Sequence, residues 1–188
     1  MFRLVFVLTT ICTVSSALLA MVYNQTKEPI AIAKEQRTLL AAAQVMPSGL
    51  PAPERVVVGD TTFFVCRQDG KIVSVAVEGR SRNGYSGDIV LMVGMSTEGE
   101  GYLVDYAVVK ATETPGLGTK IANDVFKRPL LRRALNSNWR VKKDGGEVDA
   151  ITAATISSRA ALECIQDAIA KKQANVEALR RETPDAPE

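Results

Sequence analysis

Three short segments carry the residue types from which a chemistry can be argued. The first is Asp149-Ala150-Ile151-Thr152-Ala153-Ala154-Thr155-Ile156-Ser157-Ser158, which runs into an amphipathic stretch. Its hydroxyl residues stand where helix N-caps belong, and composition alone favours Thr155 or Ser157 as a plain cap. The chemical alternative is an anion site, because a helix start offers unpaired N–H groups and the positive end of the dipole. A phosphate fixed there would sit beside a threonine hydroxyl able to form an ester with it. The second segment, Thr112-Glu113-Thr114-Pro115-Gly116-Leu117-Gly118-Thr119-Lys120, contains a Pro-Gly turn with two glycines around one leucine. It reads either as a strand-to-helix turn or as backbone that passes close to a flat ligand, since glycine removes the Cβ obstacle. The third, Asn83-Gly84-Tyr85-Ser86-Gly87-Asp88-Ile89, places Tyr85 either to stack on an aromatic ligand or to pack at a strand end.

Absences narrow the chemistry. The 188 residues contain no histidine. That excludes a Ser-His-Asp or Cys-His unit and histidine-ligated zinc or haem. The cysteines, Cys12, Cys66 and Cys164, lie far apart, so neither an iron–sulfur cluster nor a four-cysteine zinc site is expected. No metal is expected, and redox work would need an organic cofactor. A net charge of +2 is too balanced to imply nucleic-acid binding. Cys66 and Cys164 are read either as a disulfide or as two separate buried thiols.

The elements that must position these segments follow from periodicity. Leu4 to Tyr23 is uncharged and apolar but for three threonines and two serines, and at 1.5 Å per residue it reaches about 30 Å, a bilayer core. The rival is a cleaved signal peptide, but Leu18 is too large for a good cleavage site. A retained anchor over 1–24 is therefore expected. Arg3 and the amino group before it, against Lys27 after it, place the remainder outside the cytoplasm. A helical stalk and linker follow over 25–53, ending in Pro47-Ser48-Gly49-Leu50-Pro51-Ala52-Pro53.

Strands are expected at Val56–Val58, Thr61–Cys66, Ile72–Val77, Ile89–Val93 and Tyr102–Val109, with an Asp69-Gly70 hairpin turn. Helices are expected at Lys120–Phe126, at Pro129–Asn136 and from Ser157 to about Arg181. Strands first and helices later predict an α+β domain over 54–182, an antiparallel meander with helices, and a flexible tail over 183–188. Lys127, Arg128, Arg132, Arg133, Arg140, Lys142 and Lys143 occur without an intervening acid, which reads as a docking face or as solvated surface.

Taken together, the Gly84–Gly87 stretch, the Glu113–Gly118 run and the Thr152–Ser158 run resemble the RnfG/RsxG family, FMN-carrying subunits of the Rnf electron-transport complex. The resemblance extends over nearly the whole chain, including the single N-terminal membrane helix. It implies FMN bound through a phosphoester to Thr155. It also implies a cofactor site of Tyr85, Glu113, Thr114, Gly116, Leu117, Gly118, Thr152, Ala154, Ser157 and Ser158, with Tyr85 and Leu117 as ring neighbours and no catalytic side chain. The family usually has glycine where this chain has Ala153. If the backbone there needs positive φ, alanine costs on the order of 1 kcal/mol. The implied role is electron relay, as a non-autonomous subunit of an ion-translocating ferredoxin–NAD oxidoreductase in the inner (plasma) membrane. The implied partners are the other subunits, and a flavin transferase matures the chain. The alternatives are an NqrC-like subunit of the sodium-translocating NADH:quinone reductase, a membrane-tethered flavin module without relay, or a purely structural anchored domain.

Overall fold

The computed structural model describes residues 2–181, in two compact units, one up to Arg37 and one from Thr38 onward. The tail expected over 183–188 lies outside the described residues. Helix α1 (Phe2–Gln44) runs without a break through the stretches expected as anchor and stalk, with Pro29 inside it. Within the first unit its apolar part is fully exposed and long enough to cross a membrane. The threonines there keep their polar groups inside the helix. Thr9 donates to the carbonyl of Val5 at 2.8 Å, Thr10 to that of Phe6 at 2.9 Å, and Thr13 to that of Thr9 at 2.8 Å. Such back-bonding leaves these three hydroxyls no need of water in an apolar surrounding.

The second unit is built on five antiparallel strands in the order β1-β2-β3-β4-β5, the expected meander. They are β1 (Glu54–Val58), β2 (Thr61–Gln68), β3 (Lys71–Ser81), β4 (Ile89–Ser96) and β5 (Leu103–Lys110). The β2–β3 hairpin closes on Asp69 (φ 52°) and Gly70 (φ 74°), the two left-handed residues that a tight two-residue turn requires. Alternation gives the sheet two apolar faces. On one, Val65, Val75, Val77, Leu91 and Val93 belong to a single buried core with Ala161, Leu162, Ile165 and Ala168 of α3 (Thr155–Ala174). On the other, Phe64, Ala76 and Met92 pack with Ala42, Val45 and Met46, so the end of α1 from Thr38 belongs to this unit's core.

All three expected domain helices differ in part. Pro129–Asn136 is not a helix. Only Arg128–Leu130 makes a 3-10 turn, and the chain then turns away through Arg132 (φ 59°). The reason is pairing with the start of β5: Leu103 donates to the Arg133 carbonyl at 3.0 Å and accepts from the Arg132 N–H at 2.8 Å. Hydrogen bonds to a strand edge outweigh local helix propensity here. The expected first helix is a 3-10 turn (Gly118–Ala122) followed by α2 (Asp124–Lys127). The long C-terminal helix begins at Thr155 and breaks at Asn175 before α4 (Val176–Arg181).

The two domain cysteines lie in different cores on opposite faces of the sheet. Both are free: Cys66 donates to the Pro51 carbonyl at 3.4 Å and Cys164 to that of Ile89 at 3.3 Å. Burial pushes the Cys164 thiol up to about 12 from an ordinary 9.0. Native protein at pH 9 should therefore resist iodoacetamide at Cys164 and react there on unfolding, as peptide mass mapping would detect. The shift also has a stability consequence. Because the folded state holds this thiol's proton more tightly, its contribution is complete below about pH 9 and is lost as pH rises toward about 12.

Candidate functional site

Strand direction gathers the three motif segments. Ser81 at the end of β3 pairs with Ile89 at the start of β4, and Lys110 at the end of β5 pairs with Val90. The 82–88 connection and the 111–117 turn therefore leave the same end of the sheet. The start of α3 comes to that end because the helix is tied to β3: Glu163 accepts from the Ser81 hydroxyl at 2.6 Å, and Asp167 accepts from the Arg80 N–H at 2.9 Å.

Glu113 joins all three segments. It is 4% exposed. One carboxylate oxygen accepts from the Ser86 N–H at 3.2 Å, the other from the Ser157 hydroxyl at 2.5 Å. Thr112 beside it donates to the Ser86 carbonyl at 3.0 Å. Glycine flanks the carboxyl group on both sides. A Cβ on Gly84 would stand 2.8 Å from one carboxylate oxygen, and a Cβ on Gly118 would stand 2.6 Å from the other. The motif glycines at 84 and 118 are thus places where backbone closes over a buried acid. Gly116 has a different task. The turn Thr114-Pro115-Gly116-Leu117 closes with the Leu117 N–H on the Thr114 carbonyl at 3.2 Å and needs the φ of 74° found at Gly116.

The start of α3 is not capped by a side chain. Ala154 is the N-cap residue, with φ −137° and ψ 42°, and Thr155 is the first helical residue. Ser157 is engaged by Glu113. Ser158 is buried, accepts from the Ile151 N–H at 3.0 Å and donates to the Ala154 carbonyl at 2.9 Å, holding the preceding loop to the helix. The expected cap by Thr155 or Ser157 is therefore absent. What remains at the helix start is the half-buried Thr155 hydroxyl and the N–H groups of Thr155, Ile156 and Ser157, which find no acceptor among the described residues. A 20-residue helix aims its positive end at that point.

Ala153 has φ 62°. The backbone thus takes the left-handed form that glycine adopts freely and alanine adopts at a cost of about 1 kcal/mol. Ala153→Gly should accordingly raise unfolding stability by about 1 kcal/mol, measured by denaturant titration.

These residues line a cleft of about 490 Å³, within the range of small-molecule and cofactor sites. Of the expected site residues, Tyr85, Glu113, Thr114, Leu117, Gly118, Ala154, Thr155 and Ser157 line it. Gly116, Thr152 and Ser158 do not. Gly116 shapes the turn, Thr152 is exposed, and Ser158 is turned into the loop. Sequence reasoning did not include Ala153 and Ile156 in the lining. Both adjoin Thr155 or its neighbour, and that contiguity was the available signal. Tyr85, Leu117 and Ile156 are 69%, 40% and 44% exposed, so the cleft has an apolar rim open to a flat partner.

No lysine or arginine lines the cleft. Four of the seven basic residues at 127–143 pair with acids, Arg128 with Asp124 at 3.7 Å among them. Lys127 pairs with Asp105 at 2.8 Å, Lys142 with Asp149 at 2.8 Å, and Arg133 with Glu147. Arg133 also lies over the Trp139 ring, 5.6 Å from its centre. Arg132, Arg140 and Lys143 form no ion pair among the described residues, so the pairing of the run is partial.

The FMN-binding domain family matches residues 84–170, which takes in all three segments but for Asn83. The chain is similar to the RnfG protein of the ion-translocating oxidoreductase complex of Pseudoalteromonas atlantica, at 32% identity over 92% of this chain and 88% of that one. It is also similar to the corresponding RnfG protein of Haemophilus influenzae, at 36% identity over 80% and 78% of the two chains. Among solved structures, the NqrC protein of the Na(+)-translocating NADH-quinone reductase from Parabacteroides distasonis has the same fold, with a TM-score of 0.53 at 18% identity over 82% of this chain and 94% of that one.

Proposed function

The chain belongs to the RnfG family of ion-translocating oxidoreductase complexes, and we propose that it is the electron-carrying member of such a complex, working through FMN held in the cleft at the start of α3. The observation that carries this reading is the unengaged Thr155 hydroxyl beside three unpaired N–H groups, at the edge of an apolar cleft. A phosphate diester retains about one negative charge, which the helix start can hold without a cationic side chain, and none lines the cleft. The apolar walls suit a flat ring, with Tyr85 and Leu117 beside it.

The attachment is a group transfer. The Thr155 oxygen displaces AMP from the phosphate of FAD, forming the phosphoester and giving its proton to solvent, with a separate flavin transferase as catalyst. Nothing in the cleft activates Thr155 for chemistry of its own, so no turnover step is assigned to it. When bound, FMN supplies the redox chemistry. The chain's residues hold it, shield it on one side and leave its rim open to partner proteins of the complex. Of the alternatives, the NqrC protein shares only the fold with this chain, whereas the RnfG relatives reach 32% and 36% identity.

The same reading divides the chain into an anchor over 1–24, a stalk and linker over 25–53 and a flavin domain over 54–182. It makes the chain a single-pass protein of the inner membrane with its domain on the periplasmic or extracellular side, where the transferase works. Support comes from the apolar exposed helix and from Arg3 preceding it. The test is a denaturing gel of protein from native membranes, viewed under ultraviolet light and paired with intact-mass measurement. Fluorescence surviving denaturation with an added FMN phosphoester mass is the expected result, and a dark band of unmodified mass would overturn covalent attachment.

A further inference from the structure

The charge arrangement in the cleft is unusual for a site that receives electrons. Its one ionisable carboxyl group, Glu113, is 4% exposed and makes no ion pair among the described residues, and no lysine or arginine shares the lining. Each of its two oxygens accepts from a different donor, the Ser86 N–H and the Ser157 hydroxyl. The backbone of Gly84 and Gly118 lies against its two oxygens, one on each side. Ser157 has a single hydroxyl proton, and it is committed to Glu113. Toward the cleft, Ser157 can therefore only accept. Tyr85 is the remaining titratable side chain of the lining.

We propose that Glu113 is a fixed negative charge that holds the reduction potential of the bound cofactor low, with the Ser157 hydroxyl moderating that charge. The inference rests on the reading of the cleft as a flavin site. Adding electrons to the ring increases negative charge near a carboxylate in a partly water-excluded setting, where Coulomb repulsion is far stronger than in water. A hydrogen bond donated to the carboxylate withdraws part of its charge and weakens the repulsion. The two residues should thus act in opposite directions, which a merely structural clasp would not produce.

The test is spectroelectrochemical titration of the full-length, flavin-loaded protein in detergent, as wild type, Glu113→Gln and Ser157→Ala. Removing the charge should shift the midpoint potential positive. Removing the moderating hydrogen bond should shift it negative. Unchanged midpoints, or shifts of the same sign, would overturn the inference. If Glu113→Gln fails to take up flavin, Ser157→Ala decides alone: a negative shift supports the proposal, and any other result overturns it. Loss of flavin from both variants would overturn it in favour of a structural clasp. A colourless wild type would instead remove the proposed function on which the inference stands.

Discussion

Thr155→Val is expected to abolish denaturation-resistant flavin while leaving the fold nearly untouched, and Thr155→Ser is expected to retain the attachment. The separation follows from what the hydroxyl does in the protein, which is nothing structural. It caps no helix, and no described residue shares a hydrogen bond with it. Valine keeps the branched shape, so the change in unfolding free energy should stay within about 0.5 kcal/mol. The covalent product, by contrast, cannot form without the oxygen. The measurements are gel fluorescence, intact mass and denaturant unfolding of the three proteins. Fluorescence retained in Thr155→Val would place the attachment on another residue. A large loss of stability would mean that the hydroxyl has a structural task after all.

Gly118→Ala should be a strongly disruptive single-methyl change in the cleft lining. Its Cβ would stand 2.5 Å from the Ser157 oxygen, 2.6 Å from a Glu113 carboxylate oxygen and 2.8 Å from the Glu113 Cβ. Relief is blocked from the other side, because Gly84 already lies against the same carboxyl group. Overpacking of this kind costs about 1–3 kcal/mol. Losing the Ser157 hydrogen bond to a charged group adds about 1.5–3 kcal/mol. Because the two costs overlap, a total of about 3 kcal/mol is expected in denaturant unfolding, with a severalfold fall in flavin absorbance per protein. Gly116→Ala is the control. Nothing lies within 4 Å of its would-be Cβ, and its cost is the φ of 74° alone, about 1 kcal/mol. Equal effects from the two glycines would contradict the contact argument.

The apolar N-terminal helix and the five strands were legible because each rests on local pattern: an uncharged run long enough for a bilayer, then period-two alternation broken by turn residues. The left-handed backbone at Ala153 was legible as a condition, since replacing an expected glycine matters only if φ is positive, and it is. The failed helix at Pro129–Asn136 was not legible, because the strand start that captures Arg132 and Arg133 is Leu103, far back along the chain. In the basic run, Asp105, the partner of Lys127, likewise comes from far back along the chain, whereas Asp124, Glu147 and Asp149 lie close to the ends of the run.

The amino-acid sequence by itself determined the N-terminal helix, the five strands, the start of the long C-terminal helix and which three segments line the cleft, since residue type, spacing and turn composition act over a few positions. The tertiary structure decided how those segments meet. Only the meander and the docking of α3 bring Ser86, Glu113, Gly118 and Ser157 into one knot, separate Cys66 from Cys164 across the sheet, and release Thr155 from capping. Burial, hydrogen-bond partnership and charge compensation are properties of what lies nearby in space, and no local pattern encodes a neighbour 27 or 44 residues away.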